Sequence, residues 1–190
     1  MKTLLLSDDR MRDHRPGPRH PESPERLAAI AHALERVDHP DLDRQTPRAA
    51  THAEIGRAHT GFYLGEVDAL RGQRRSLDPD THLSEGSVDA AFVAAGAACQ
   101  AVESVMAGRA DNAFCAVRPP GHHALAGLAM GFCVFNNVAI AAEHARTLGV
   151  DRILIVDWDV HHGNGTQAMF YERPDVLFFD AHRYPFYPGS

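Results

Sequence analysis

Between Arg152 and Gln167 the sequence reads RILIVDWDVHHGNGTQ, and this stretch decides the fold. Its first half, Ile153 to Val156, is continuous, apolar and largely β-branched. That composition predicts a strand over Arg152 to Val160 in a parallel sheet covered on both faces. Its second half turns polar, with Asp157, Asp159, His161, His162 and Asn164 in close succession. Gly163 and Gly165 allow tight turns there, and Thr166 can cap a short helix from Asn164 to Tyr171. Open parallel sheets bind ligands beyond the carboxyl ends of their strands, so the change from apolar to polar marks a site.

Working outward, Val176 to Phe179 reads as a further strand, and Phe135 to Leu148 as an apolar helix stopped by Gly149. Ala113 to Val117 is another buried strand. Gly86 to Met106 is alanine-rich, with Val88, Phe92, Ala95, Cys99, Val102 and Met106 at three- and four-residue steps. That spacing predicts a long packed helix ending near Gly108. Nearer the N-terminus, Lys2 to Leu6 suits a strand, and Glu25 to Val37 places Leu27, Ile30, Ala31 and Leu34 on one helical face. Thr51 and Glu54 form the ends of a capping box. Between them, Asp8 to Pro24 carries four prolines and reads as a long loop, as does Gly72 to Pro79. The order strand, helix, strand, helix, strand predicts an α/β fold, a parallel sheet with helices on both faces. The chain stops just beyond a strand, at Ser190. Either the protein is truncated there or the natural domain continues, so residues 1–190 are expected to be the N-terminal portion of a single domain.

Composition narrows the function. The chain has 190 residues, 44% hydrophobic and 23% charged, as in ordinary globular proteins. Its net charge is 19 − 25 = −6 with no basic block, which argues against a nucleic-acid surface. No apolar run reaches the roughly 18 residues of a membrane span. Three cysteines, Cys99, Cys115 and Cys133, lack metal-binding spacing and read as reduced thiols, so a cytoplasmic location is expected. Thirteen histidines are the unusual count, and they direct attention to metal or acid–base chemistry.

Two polar clusters follow strands. In an extended segment Asp157, Asp159 and His161 point to one side, and two carboxylates with an imidazole call for a counter-cation such as zinc or iron. A hydrogen-bonded loop with acidic capping residues is the plainer alternative. The other cluster, RPPGHHA (118–124), presents His122 and His123 after a rigid turn. Two imidazoles beside a metal suit general acid–base work. Asp157 and Asn164 are the candidates to fix their tautomers, and an unequal pair of partners would separate a base from an acid. In GFCVFNN (131–137), an aromatic residue beside glycine could line a narrow slot, while Cys133 reads as a packed thiol.

These segments, with HRYPFYPGS (182–190) and weaker matches at His20–Arg26 and Asp78–Thr81, resemble the histone deacetylase superfamily. They look most like its class II and bacterial amidohydrolase branch, which is related to acetylpolyamine amidohydrolases and acetoin-utilisation proteins. The resemblance implies an arginase/deacetylase-like fold and zinc-dependent hydrolysis of N-acetyl or other N-acyl amides, such as acetyl-lysine or acetylpolyamine. It implies Asp159 and His161 as zinc ligands, and His122 and His123 as tandem histidines, one a general base and the other a general acid or electrostatic partner, with Asp157 and Asn164 behind them. It implies Phe132 and Tyr187 as walls of an acyl-lysine tunnel with Gly131 beside them, Asp80 as a rim carboxylate, and Arg26 lining an inner channel. Asp157, Asp159, His161, Asp180 and Ala181 would hold a structural K+, although Asp180 replaces the serine common there. The third zinc ligand and the oxyanion tyrosine are implied in a later segment. A non-catalytic acyl-lysine-binding module is the alternative from another class. An arginase-like two-metal hydrolase would want further ligands that one Asp-Xaa-Asp-Xaa-His run does not supply.

Overall fold

Apolar spacing and strand order account for most of the architecture. The computed structural model describes residues 1–190. In chain order the elements are β1 (Thr3–Ser7), α1 (Glu25–Glu35), β2 (Leu42–Gln45), α2 (His52–Ile55), α3 (Gly61–Ala69), β3 (Arg75–Ser76) and β4 (His82–Leu83), followed by α4 (Ser87–Met106), β5 (Asn112–Ala116), α5 (Asn137–Thr147), β6 (Ile153–Asp157), α6 (Asn164–Phe170) and β7 (Val176–Asp180). Three strands form a parallel sheet in the order β2-β1-β5, and β6 pairs with β7 in a second parallel sheet. The short β3 and β4 make an antiparallel hairpin.

Side-chain alternation along β1 places a helix on each face of the first sheet. Leu4 and Leu6 pack with Ala97 of α4, whereas Leu5 lies with Leu27, Ile30 and Leu34 of α1 around a shared cleft. The opposite side of α4 joins Tyr63, Val67, Phe135 and Ile140 in the largest apolar cluster, so this helix is central to the core. Small residues allow that closeness. A Cβ on Gly96 would stand 2.1 Å from the Arg48 carbonyl oxygen. By length and composition α4 could span a bilayer, contrary to the reading that no segment could. It is instead a core helix with a mostly buried surface.

Several expectations are corrected. The strand, helix, strand, helix, strand order does not make one continuous ladder, because β5 pairs with β1 rather than with β6. Ile153 to Val156 is not covered on both faces. Ile155 packs with Ala139, Ala142 and Phe170 under α5 and α6, while Leu154 is 61% and Leu177 67% exposed on the other face. The strand predicted to reach Val160 stops at Asp157. Thr166 does not cap α6. The cap position is Gly163, without a side-chain cap bond, and Thr166 lies inside the helix accepting from Asn136 Nδ2. The loop after β1 holds one 3-10 turn, Asp9–Asp13, because its prolines begin only at Pro16. β2, α3 and the hairpin escaped the pattern. The Thr51–Glu54 capping box forms with both of its hydrogen bonds.

Candidate active site

The exits of β5 and β6 meet in one cavity of about 320 Å³. Its lining includes His122, His123, Asp159, His161, Gly131 and Phe132. Tyr187, Asp80 and Arg26 also face it, together with Glu22, Pro21 and Pro120, for which the sequence suggested no role. Larger clefts lie under α1 and beside its N-terminal end, but neither holds this convergence of imidazoles and carboxylates.

The two histidines stack with ring centroids 4.0 Å apart and have different partners. His122 Nδ1–H donates to Asp157 Oδ2 at 2.8 Å, and His123 Nδ1–H donates to Asn164 Oδ1 at 2.8 Å. Those bonds set both tautomers, and the His123 Nε2 has no protein partner. Burial, reinforced by His122, lowers the His123 pKa to about 4, so its imidazole is neutral near pH 7. Burial would raise Asp157, but the hydrogen bonds from His122 and the Asp159 N–H prevail and lower it. Gly121 lets the histidine loop lie against α5. A Cβ there would stand 2.6 Å from the Asn137 nitrogen.

Asp159 and His161 belong to a bend, not to the strand, so strand alternation does not orient them. A chain of local bonds does. The Asp159 N–H donates to Asp157 Oδ1 at 3.0 Å, and the His161 N–H donates to Asp159 Oδ1 at 2.8 Å. His161 Nδ1 lies 3.0 Å from the same oxygen, and His122 Nε2 lies 4.0 Å from it. Asp157 is not on their side of the cavity wall; it sits behind His122. Asp157 and Asp180 are register partners at the ends of β6 and β7, and the Ala181 N–H donates to the Asp157 carbonyl. Asp180 accepts from the Gly163 N–H at 2.7 Å and from His182 Nδ1–H at 2.5 Å, and it does not line the cavity.

The rim is built around Phe132. Gly131 and Phe132 have φ of 56° and 69°, the left-handed region that strains a phenylalanine. The Phe132 N–H is held by the buried Thr81 hydroxyl at 3.0 Å, a partner invisible in the sequence. A Cβ on Gly131 would stand 2.3 Å from the His123 ring, so only glycine admits this approach. Tyr187 meets His123 edge-on at 4.9 Å, and burial pushes its hydroxyl up to about 12. Burial, with Asp78 alongside, raises the Asp80 carboxyl, which accepts from the Thr81 hydroxyl at 3.4 Å.

A second group of metal-type donors, Glu54, Cys99 and His144, is buried elsewhere. Its donors are already engaged. Arg48 bonds Glu54 at 2.8 and 2.5 Å, Arg57 donates to His144 Nδ1 at 2.7 Å, and His144 Nε2–H meets Glu103 at 3.0 Å. Burial also pushes the Cys99 thiol up to about 12. Two guanidinium groups beside a neutral thiol make this a polar packing network rather than a cation site.

The sequence pattern of the histone deacetylase domain matches residues 20–190. The chain is 43% identical over 169 residues to a histone deacetylase-like amidohydrolase of Pseudomonas aeruginosa, covering 86% of this chain and 44% of that protein. It is 42% identical over 179 residues to the polyamine deacetylase HDAC10 of Homo sapiens, covering 86% of this chain and 26% of that one. The crystal structure of the HDA15 HD domain superposes with a TM-score of 0.94 at 40% identity, covering 98% of this chain and 57% of that chain. The chain thus spans between about a quarter and three fifths of these relatives. With the pattern match over residues 20–190, these identities and the shared fold, this chain belongs to the histone deacetylase domain family.

Proposed function

We propose that this chain carries the acid–base half and two metal ligands of a zinc-dependent deacylase acting on N-acyl amides. The observation that carries the reading is the unequal pair His122 and His123, one on a carboxylate and one on an amide, in the same cavity as Asp159 and His161. The similarity to a histone deacetylase-like amidohydrolase and to a polyamine deacetylase supports an amide substrate.

Asp159 and His161 fit a borderline divalent ion through one carboxylate and one imidazole, and they are the residues that would hold zinc. The other cavity carboxylates, Glu22 and Asp80, are engaged by protein partners, so two ligands come from this chain. When bound, zinc supplies Lewis-acid polarisation of a carbonyl and acidification of water. The side chains do the rest. His123 stays neutral and uncharged in its pocket, and its free Nε2 takes a proton from the attacking water. His123 Nε2 then passes that proton to the leaving amine, and His122, held to Asp157, is the electrostatic partner of the charged ring. Asn164 and Asp157 fix which nitrogen of each ring carries hydrogen. Phe132 and Tyr187 flank an extended aliphatic chain, with Asp80 at the rim and Arg26 at the inner end. Asp157, Asp159, His161, Asp180 and Ala181 gather at the ends of β6 and β7 as candidates for a K+ site. Three free cysteines support a cytoplasmic setting.

The test uses a chain extended to the length of its relatives, loaded with zinc. Acetate release is measured from an acetyl-lysine peptide and from an acetylated polyamine. Turnover of either, abolished by chelation and restored by zinc, is the expected result. Binding of both substrates without acetate release at any metal loading overturns the reading in favour of a non-catalytic binding module.

A further inference from the structure

Beneath the histidine loop lies a buried polar network that the proposed chemistry does not use. Arg118, which leaves β5 four residues before His122, is fully buried, and Glu22 and His14 are nearly so. Arg118 Nε–H donates to Glu22 Oε1 at 2.6 Å and an Nη–H to Oε2 at 2.5 Å, a two-pronged pairing. A third guanidinium N–H reaches the Met11 carbonyl at 2.9 Å. On its other side Glu22 meets His14 Nε2–H at 3.2 Å, and His14 Nδ1 lies 2.7 Å from the Ser87 hydroxyl at the start of α4. Finally, Arg26 from α1 donates to Glu22 Oε1 at 3.3 Å.

One carboxylate therefore ties together the 3-10 turn after β1, the proline-rich loop, α1, α4 and the exit of β5. Two of the tied groups matter to the cavity. Arg118 begins the loop that carries His122 and His123, and Arg26, its side chain half exposed, lines the cavity. The serine, histidine and glutamate order is reminiscent of a nucleophilic triad, but Ser87 is fully buried and the carboxylate is already occupied by arginine. The carboxylate is ionised across the neutral range, since His14 and Arg118 overcome its burial and bring it down to about 2. A fold in need of stability alone would be served as well by an apolar pair, because buried ion pairs gain little net energy. What they add is a fixed direction. The fork of Arg118 meets Glu22 side-on through Nε and an Nη while the Met11 carbonyl holds the other Nη, and together these bonds orient the start of the loop.

We infer that Glu22 and Arg118 are a positioning pair that sets the His122–His123 loop and the Arg26 guanidinium against the cavity. The inference rests on the acid–base reading above. It predicts that the pair acts on turnover through its neighbours, while zinc binding by Asp159 and His161 is untouched. A misplacement of about 1 Å in such a loop costs on the order of 10²-fold in rate.

The experiment uses the extended, zinc-loaded protein and compares Glu22→Gln, Arg118→Lys and the double variant Glu22→Met with Arg118→Met. Melting temperature, zinc content, kcat and KM are read for each. Glu22→Gln and Arg118→Lys should lower kcat about 10- to 100-fold, with KM changed much less and zinc content unaltered. The double variant should recover melting temperature without recovering kcat, which a purely structural role does not predict. If the single variants fail to fold, the double variant alone decides. Wild-type kcat in a stable double variant, or in Glu22→Gln, overturns the inference while leaving the deacylase reading intact. An inactive wild-type protein with full zinc overturns both.

Discussion

The two arms of the cavity leave two separate sheets and are held in different ways. The histidine arm is buried and cross-linked. His123 is 3% exposed, its loop starts at the fully buried Arg118, and its partners come from β6, α6 and the loop before α1. The Asp159 and His161 arm is open, with side chains 49% and 40% exposed and bonds only to residues two positions away. The same contrast runs through the sheets. Leu4, Leu5 and Leu6 of β1 are buried, whereas Leu154, Leu177 and Phe179 face outward on β6 and β7. The proposed acid–base groups are thus preorganised by tertiary packing within this chain, while the proposed metal ligands are shaped by local sequence alone.

If that contrast is right, variants of the two arms should fail differently. The largest effect is expected from Asp159→Ala in the extended protein. Zinc content by elemental analysis should fall close to zero and turnover to background. Retention of wild-type zinc would remove Asp159 from the ligand set. Next in size, His123→Ala should lower kcat about 10²–10⁴-fold. Its zinc content should match wild type, and metal loss in that variant would merge the two arms into one.

Smaller is the expected cost of Asn164→Ala, about 10- to 100-fold in kcat, because His123 would lose the acceptor that fixes its tautomer. An unchanged kcat would show that packing alone orients the ring. The smallest effect sharpens the comparison through stability. Burial lowers His59 from its usual 6.5 to about 4, and Arg48 brings Glu54 down to about 2. An unfolded chain binds a proton at histidine below about 6.5, so the His59 contribution is complete above that pH and is lost toward 4. The Glu54 contribution is present above its ordinary 4.5 and is lost as pH falls toward 2. Urea midpoints across this range should therefore decline in two stages, and His59→Gln should reduce the upper one, leaving the share of His123, which burial lowers likewise. An unchanged upper stage would assign it to another group.

How much was legible in the sequence follows the same division. Local pattern sufficed where a residue's role depends on its near neighbours. The spacing along α4, the capping box at Thr51, the strand at Ile153 and the turn from apolar to polar at Asp157 all follow from periodicity and backbone preference. Several boundaries were overshot, because the end of a strand depends on where its partner ends. The pairing of β5 with β1, the exposed outer face of β6 and the sharp limit of that strand at Asp157 were not legible. The first depends on a strand more than a hundred residues away, the second on what packs against the sheet, and the third on where the partner strand β7 ends.

The candidate site divides in the same way. By itself the sequence determined which side chains could do the chemistry, because paired histidines and an Asp-Xaa-Asp-Xaa-His run keep their donors close at any tertiary arrangement. Only the folded structure decided which partner each histidine has, that Thr81 and Gly131 hold Phe132, and that Glu22 lies beneath the loop with Arg118 bonded to it. Those assignments depend on hydrogen bonds a few ångströms long between residues up to 96 positions apart. Local preference carries no record of such distances; close packing of the core sets them.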